Sequence, residues 1–191
     1  MVALLLVDIQ KGMDDTEYHG GSRNNMQAEA NCRLILDYFR YHQLPLFHIQ
    51  HCSENIESPL YPGKEGNEIK EMVAPIPGEP IIKKSTNSAF VRTGLEGMLR
   101  NAGVNGLIVV GLTTDHCVSA TVRNGADLGF KTTIISDATA TYARTATDGS
   151  VFDADLMHAT AIASLQGEFA SVITTSELLD DMKLHGSTYN D

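Results

Sequence analysis

Short, unbroken apolar runs alternate along this chain with longer segments whose apolar residues recur every three or four positions. The first run, Val2–Val7, ends at Asp8 and has the continuous hydrophobicity of a strand covered on both faces. Residues 46–49, 80–83, 107–110 and 132–135 repeat that signature, and Ser171–Ile173 gives a short sixth strand. Between them the spacing predicts helices. One runs over about 26–40, with Met26, Ala30, Leu34 and Tyr38 on one face. A second opens on Thr93 and Glu96, a capping-box pair, and ends at Gly103. A third begins near Cys117 behind a Thr114 or Asp115 cap, with Val118, Val122 and Ala126 at helical spacing. The fourth covers about 152–165 with a Leu156, Ala159, Ala163 stripe, and the last covers 175–182. The tail from His185 is polar and is expected to fray.

Strands alternating with helices, without repeats or low-complexity linkers, predict a single three-layer α/β/α domain over residues 1–191, built on a six-stranded, mainly parallel sheet. Ligands of such sheets bind outside the carboxyl ends of the strands. Asp8, Lys83 or Lys84, Cys117 and Asp137 all fall at predicted carboxyl ends. Three polar segments, 11–25, 52–78 and 142–151, are expected to be loops around that edge. The second carries Pro59, Pro62, Pro75 and Pro77, holds at most a short helix near 68–72, and is long enough to imply a task in binding or assembly.

Composition narrows the partners. Twenty-four acidic against 14 basic residues give a net charge of −10 with no lysine or arginine cluster, which argues against nucleic acid or an anionic membrane as a partner. Cys32, Cys52 and Cys117 are an odd number at irregular spacing with no CxxC, a pattern that fits a reducing cytoplasm and no disulfide framework. The start, MVALLLVDIQKG, lacks a positive leader region and reads as a first strand.

Cys117 is the residue with the most chemistry. At the first turn of a helix the backbone N–H groups and the dipole favour a thiolate. A small buried residue at a strand-to-helix joint would look the same. Asp8 can equally bond a neighbouring helix start, and Lys84 can be a solvated strand end. Strand alternation turns Lys83 away from whichever face Lys84 uses. Asp137 reads as a residue that shapes its loop or pairs across the sheet.

The segments VDIQ with Asp8, KSTNSAF with Lys84 four residues before Ser88, and GLTTDHCVSATVR with Cys117, followed by SDATATY and ASLQGEFASV, resemble the signature segments of the isochorismatase-like cysteine hydrolases. The likeness spans nearly the whole chain. It implies an Asp8, Lys84, Cys117 triad that cleaves a C–N bond of a small amide, ureide or carbamoyl compound through a thioester. It also implies an oxyanion hole from the backbone N–H groups of Thr113 and Cys117, a non-proline cis peptide at Leu112–Thr113, no cofactor, and a dimer or tetramer. Gln10, Phe90, Leu112 and Tyr142 are the candidate pocket residues. The chain departs from the nicotinamidase pattern, in which an Asp-x-His pair and a further His hold a metal after the second strand. Here that region reads FHIQHCSE, and His48, His51 and Cys52 do not close a zinc site, so the histidines are expected to be structural or exposed and no metal is expected. A metal-dependent amidase using His48 or His51 and a non-catalytic scaffold of the same fold are the competing readings. The vinyl-ether-cleaving members generally lack the nucleophilic cysteine, so Cys117 argues against that reaction.

Overall fold

The computed structural model describes residues 1–185. Its centre is β1 (Val2–Val7), flanked in parallel by β2 (Leu46–His51) and β4 (Gly106–Leu112), with Val7 in register with both Ile49 and Gly111. Adding β3 (Ile81–Lys84), β5 (Lys131–Ala140) and β8 (Ser171–Ile173) gives a six-stranded parallel sheet in the order β3-β2-β1-β4-β5-β8. Alternation along β1 sends Leu4 and Leu6 to one face and Ala3, Leu5 and Val7 to the other. The first face is covered by α2 (Ala28–Tyr41) and α6 (Thr175–His185), through Ile35, Leu36, Phe39, Leu178 and Met182. The second is covered by α3 (Leu95–Asn101), α4 (Ser119–Asp127) and α5 (Ala154–Leu165), through Leu95, Leu99, Val122 and Leu165. Both faces are covered, which is why the strands are apolar without alternation. Among the described residues no helix is long and apolar enough to cross a membrane.

Several local expectations change. The buried face of α2 is Ala28, Cys32, Ile35, Leu36 and Phe39, whereas Met26 and Leu34 are 75% and 54% exposed. Two apolar series overlap on this segment, and the one with more apolar members takes the core. The Leu156, Ala159, Ala163 stripe of α5 is exposed, and Ala154 and Leu165 are buried instead. That helix is apolar nearly all round, so periodicity could not choose its inner side. No capping box forms at α3. The Thr93 hydroxyl accepts from Leu95 N–H and donates to Ala89 O, while Glu96 turns outward to Arg100. Nor do Thr114 and Asp115 cap a helix, because both are engaged elsewhere: Thr114 Oγ1 lies 2.9 Å from His158 Nδ1, and Asp115 binds Thr141 and Arg144.

β5 runs five residues beyond its expected end, with a register shift against β4 between Val109 and Gly111. Asp137 therefore lies inside the strand, and its Oδ1 accepts from both the N–H and the hydroxyl of Thr175 at the start of α6, 2.7 Å each. Segment 11–25 contains a 3-10 turn, Lys11–Asp14, and a single helical turn, α1 (Thr16–His19). Segment 52–78 holds two 3-10 turns, Glu65–Asn67 and Glu71–Val73, and segment 142–151 contributes a small hairpin of β6 (Arg144–Thr145) with β7 (Val151–Phe152). The last helix continues to His185; the rest of the polar tail lies outside the described residues.

Candidate active site

Four adjacent parallel strands, in the order β3-β2-β1-β4, bring the candidate residues together at their carboxyl ends. β1 stops at Val7 and Asp8 turns the chain with φ 51°, its N–H held by Ile49 O at 3.0 Å. On edge strand β3 alternation points Lys84 inward, 3% exposed, and leaves Lys83 outside. The penultimate residue of β4 is Gly111 at φ 117°, where an added Cβ would lie 2.0 Å from Val7 O, so only glycine lets the two strands stay paired there. The Leu112–Thr113 peptide that follows is cis. A π-helical turn, Thr114–Val118, then carries Cys117 back over the strand ends, and Val118 N–H bonds Thr113 O at 3.1 Å.

The Lys84 ammonium is the hub of the resulting cluster. Its Nζ lies 2.7 Å from Asp8 Oδ2, 3.1 Å from Thr86 O, 3.1 Å from His51 Nδ1 and 3.4 Å from Cys117 Sγ. The second carboxylate oxygen, Asp8 Oδ1, is buried without a hydrogen-bond partner among the described residues. Burial opposes the charge on Lys84, but Asp8 and Cys117 outweigh it and keep the ammonium above its ordinary pKa. Burial and then the Asp8 carboxylate push the Cys117 thiol well up, against the pull of Lys84. The expected thiolate is thus replaced by a thiol at rest. A helix terminus favours an anion by only about 0.3–1 kcal/mol, less than the site's burial and the neighbouring carboxylate take away. Burial and then Lys84 lower the pKa of His51, so its ring is neutral.

A cavity of about 320 Å³ opens beside Cys117. Met13, Leu60 and Leu112 give it an apolar side, and Asp8, His51, Asn87, Thr113, His116 and Arg144 give it polar groups. Arg144 is not a free cation. Its guanidinium bonds Asp115 at 3.0 Å and His19 O at 2.6 Å, and Asp115, although half-buried, is held below the usual carboxylate range by Thr141, His116 and Arg144. One wall of the cavity is clamped by two buried amides. Gln10 donates to His51 O and Asn67 O at 2.9 and 2.8 Å and accepts from His51 N–H at 2.8 Å, and Asn67 donates to His51 O and Leu60 O at 2.8 Å each.

The isochorismatase domain model matches residues 2–177, over nine-tenths of the chain. The chain belongs to the isochorismatase family. It is 41% identical over 184 residues to the isochorismatase family protein YrdC of Bacillus subtilis, covering 96% of this chain and 97% of that one. It is 32% identical over 145 residues to the streptothricin hydrolase of Streptomyces noursei, covering 73% of this chain and 50% of that enzyme. A crystal structure of an isochorismatase-family protein from Chromobacterium violaceum superposes with a TM-score of 0.91 at 40% identity, covering 95% of this chain and 93% of that one.

Within this isochorismatase-family fold, Asp8, Lys84 and Cys117 meet, and Leu112 and Thr113 line the cavity beside them. The other three pocket candidates do not line it. Gln10 is consumed by the amide clamp. Phe90 stacks on Phe130 in the core beneath α3 and α4. Tyr142 is fully buried, its hydroxyl donating to Met13 O and its ring stacked on His19, so it stands behind the cavity wall. His51, expected to be structural or exposed, belongs to the cluster. The signal was available, because His51 pairs in register with Lys84 once β2 is extended by two residues. His48, three residues earlier, faces the other way onto Glu79 at 2.9 Å, and Cys52 has only Asn67 Nδ2 at 4.0 Å. These residues therefore do not form a nicotinamidase-type metal site. Donor atoms of Asp8, His51 and Cys117 do lie within 4.8 Å of one another, but all three contact the Lys84 ammonium, which already fills the cationic position.

Proposed function

We propose that this isochorismatase-family hydrolase cleaves a C–N bond of a small amide, ureide or carbamoyl compound by covalent catalysis at Cys117. The observation that carries the reading is the contact of one buried ammonium, Lys84 Nζ, with both Asp8 Oδ2 at 2.7 Å and Cys117 Sγ at 3.4 Å at the edge of the cavity. Cys117 keeps its proton at rest, so proton loss precedes attack. Asp8, whose buried Oδ1 is unpartnered among the described residues, takes that proton, and the thiolate then bonds to the substrate carbonyl carbon. Lys84 stays cationic throughout and offsets the negative charge shared by carboxylate and sulfur. The backbone N–H groups of Thr113 and Cys117 receive the oxyanion. Asp8 then gives the proton to the departing nitrogen, leaving a thioester, deprotonates the water that attacks it, and returns that proton to Cys117 Sγ as the C–S bond breaks and the acid leaves. A cavity of about 320 Å³ suits a small-molecule substrate.

The test is a panel of small amides, ureides and carbamoyl compounds assayed for ammonia or amine release, with Cys117→Ala as control. The wild type should turn over at least one member, and Cys117→Ala should lose at least about a thousandfold in kcat/KM with its fold intact. Full activity of Cys117→Ala would overturn the covalent mechanism.

A further inference from the structure

The cluster contains more acceptors than its hub has hydrogens. A lysine ammonium carries three N–H donors. Lys84 Nζ is within bonding reach of four acceptors: Asp8 Oδ2 at 2.7 Å, Thr86 O at 3.1 Å, His51 Nδ1 at 3.1 Å and Cys117 Sγ at 3.4 Å. Asp8 is charged and closest, and the Thr86 carbonyl has a fixed place two residues along the same chain. One N–H is left for two candidates, the His51 ring nitrogen and the Cys117 sulfur.

We infer that His51 is a positioning residue for the covalent chemistry: its Nδ1 holds the third N–H of Lys84 while Cys117 is a thiol, and releases it to Sγ when the thiolate forms. The inference rests on the triad reading above, and it assigns His51 a part that the triad does not include. A thiol sulfur is a weak acceptor, whereas a neutral imidazole nitrogen is a good one, so at rest the hydrogen belongs to His51. When the thiol proton passes to Asp8 Oδ1, sulfur becomes an anion and the stronger partner, and a small rotation of the ammonium about Cε–Nζ moves the hydrogen across. Proton and charge balance within the cluster: one proton goes from sulfur to carboxylate, and one donated hydrogen bond goes from imidazole to thiolate. The role requires Nδ1 to be unprotonated, which puts the ring hydrogen of neutral His51 on Nε2. It also explains why the ring is fixed through its backbone, with its N–H and C=O both held by Gln10 and its C=O also by Asn67. The charged and titratable groups around Cys117 are Asp8 from the end of β1, Lys84 from β3, His51 from β2, His116 from its own turn, Arg144 from β6, and Tyr18 and His19 from α1 across the cavity.

By competing for that hydrogen, His51 keeps the resting thiol protonated. The test is the rate of alkylation of Cys117 by iodoacetamide against pH, resolved by peptide mass spectrometry, in wild type, His51→Leu and His51→Asn, with Cys52 as the internal reference. With no acceptor at the Nδ1 position, His51→Leu leaves the third N–H to sulfur. The Cys117 midpoint should fall by about one pH unit, a roughly tenfold faster reaction at neutral pH. Asn places an oxygen where Nδ1 stands, and His51→Asn should keep the midpoint within about 0.3 unit of wild type. If His51→Leu does not fold, His51→Phe, with a ring and no acceptor, takes its place. A midpoint that stays or rises without the acceptor, or one that moves as far in His51→Asn, overturns the inference. Turnover is not used, so retained activity in Cys117→Ala would sink the triad reading while leaving this result standing.

Discussion

Replacing Lys84 with methionine gives the sharpest test of how the cluster is held. The Lys84 and Asp8 side chains are 0% and 2% exposed with their charged atoms 2.7 Å apart. At an effective dielectric of about 20, two unit charges at that separation attract by roughly 6 kcal/mol, most of which offsets the cost of taking both out of water. Methionine keeps the volume and removes the charge. The Asp8 carboxylate is then buried without its cationic partner, and its Oδ1 has no partner among the described residues even in the wild type. Losing one member of a buried pair costs about 3–5 kcal/mol, and Lys84→Met should fall in the upper half of that range because Thr86 O and His51 Nδ1 lose a donor as well. Asp8→Asn together with Lys84→Met removes both charges and should recover to within about 2 kcal/mol of wild type. Urea unfolding followed by circular dichroism at neutral pH, with m-values compared, measures all three variants. A Lys84→Met loss below about 1 kcal/mol, or a double variant no more stable than the single, would refute the claim that the pair is held by mutual charge compensation.

Gly111→Ala puts a Cβ 2.0 Å from Val7 O at φ 117°, so β1 and β4 must part; a fall of at least about 10 °C in Tm is expected by thermal unfolding, and a shift under about 3 °C would show that the turn relaxes freely. Acid should destabilise the protein in two stages. Burial lowers His19, His48, His51 and His158 below the ordinary 6.5, so the unfolded chain binds these protons first; stability is complete above pH 6.5 and is lost as pH falls through the depressed values. Glu29 and Glu79, held near 2 against burial by Arg23 with Lys70 and by Arg40 respectively, remove a further share as pH falls from 4.5 toward 2. Urea midpoints recorded from pH 8 to 4 should be level above about 7 and decline below 6.5, and level midpoints down to pH 5 would contradict this account.

The sheet was legible because a parallel strand buried on both faces has no alternation to misread, and all six of its runs were located to within one residue at their starts. Helix faces were less so. In α2 and α5 the apolar residues outnumber the inner positions, and only the neighbours decide which are covered. Strand ends pointed to Asp8, Lys83 or Lys84, Cys117 and Asp137, and the resemblance to the cysteine hydrolases singled out Asp8, Lys84 and Cys117 among them. His51 was hidden by reading β2 two residues short. Gln10 and Tyr142 stand beside strand ends, but which way a side chain turns there depends on loops from elsewhere in the chain: Gln10 meets Asn67, and Tyr142 meets Met13. The thiol state of Cys117 was likewise out of reach, since proximity to a helix start is visible in sequence and the depth of burial is not.

The clamp made by Gln10 and Asn67 has a consequence for how the site behaves in solution. Neither amide ionises in water, and neither bond set involves a full charge, so neither acidity nor ionic strength loosens that wall. By contrast, the nearby Lys11 pairs with Glu68 and Glu71 lie on the surface, where salt screens them. The cavity thus combines an ionisable centre with a side that is indifferent to the medium, and that wall keeps its shape while the protonation of the centre changes. Changes in rate with pH or salt then belong to the cluster around Lys84 and to the Arg144–Asp115 pair, and not to the amide wall.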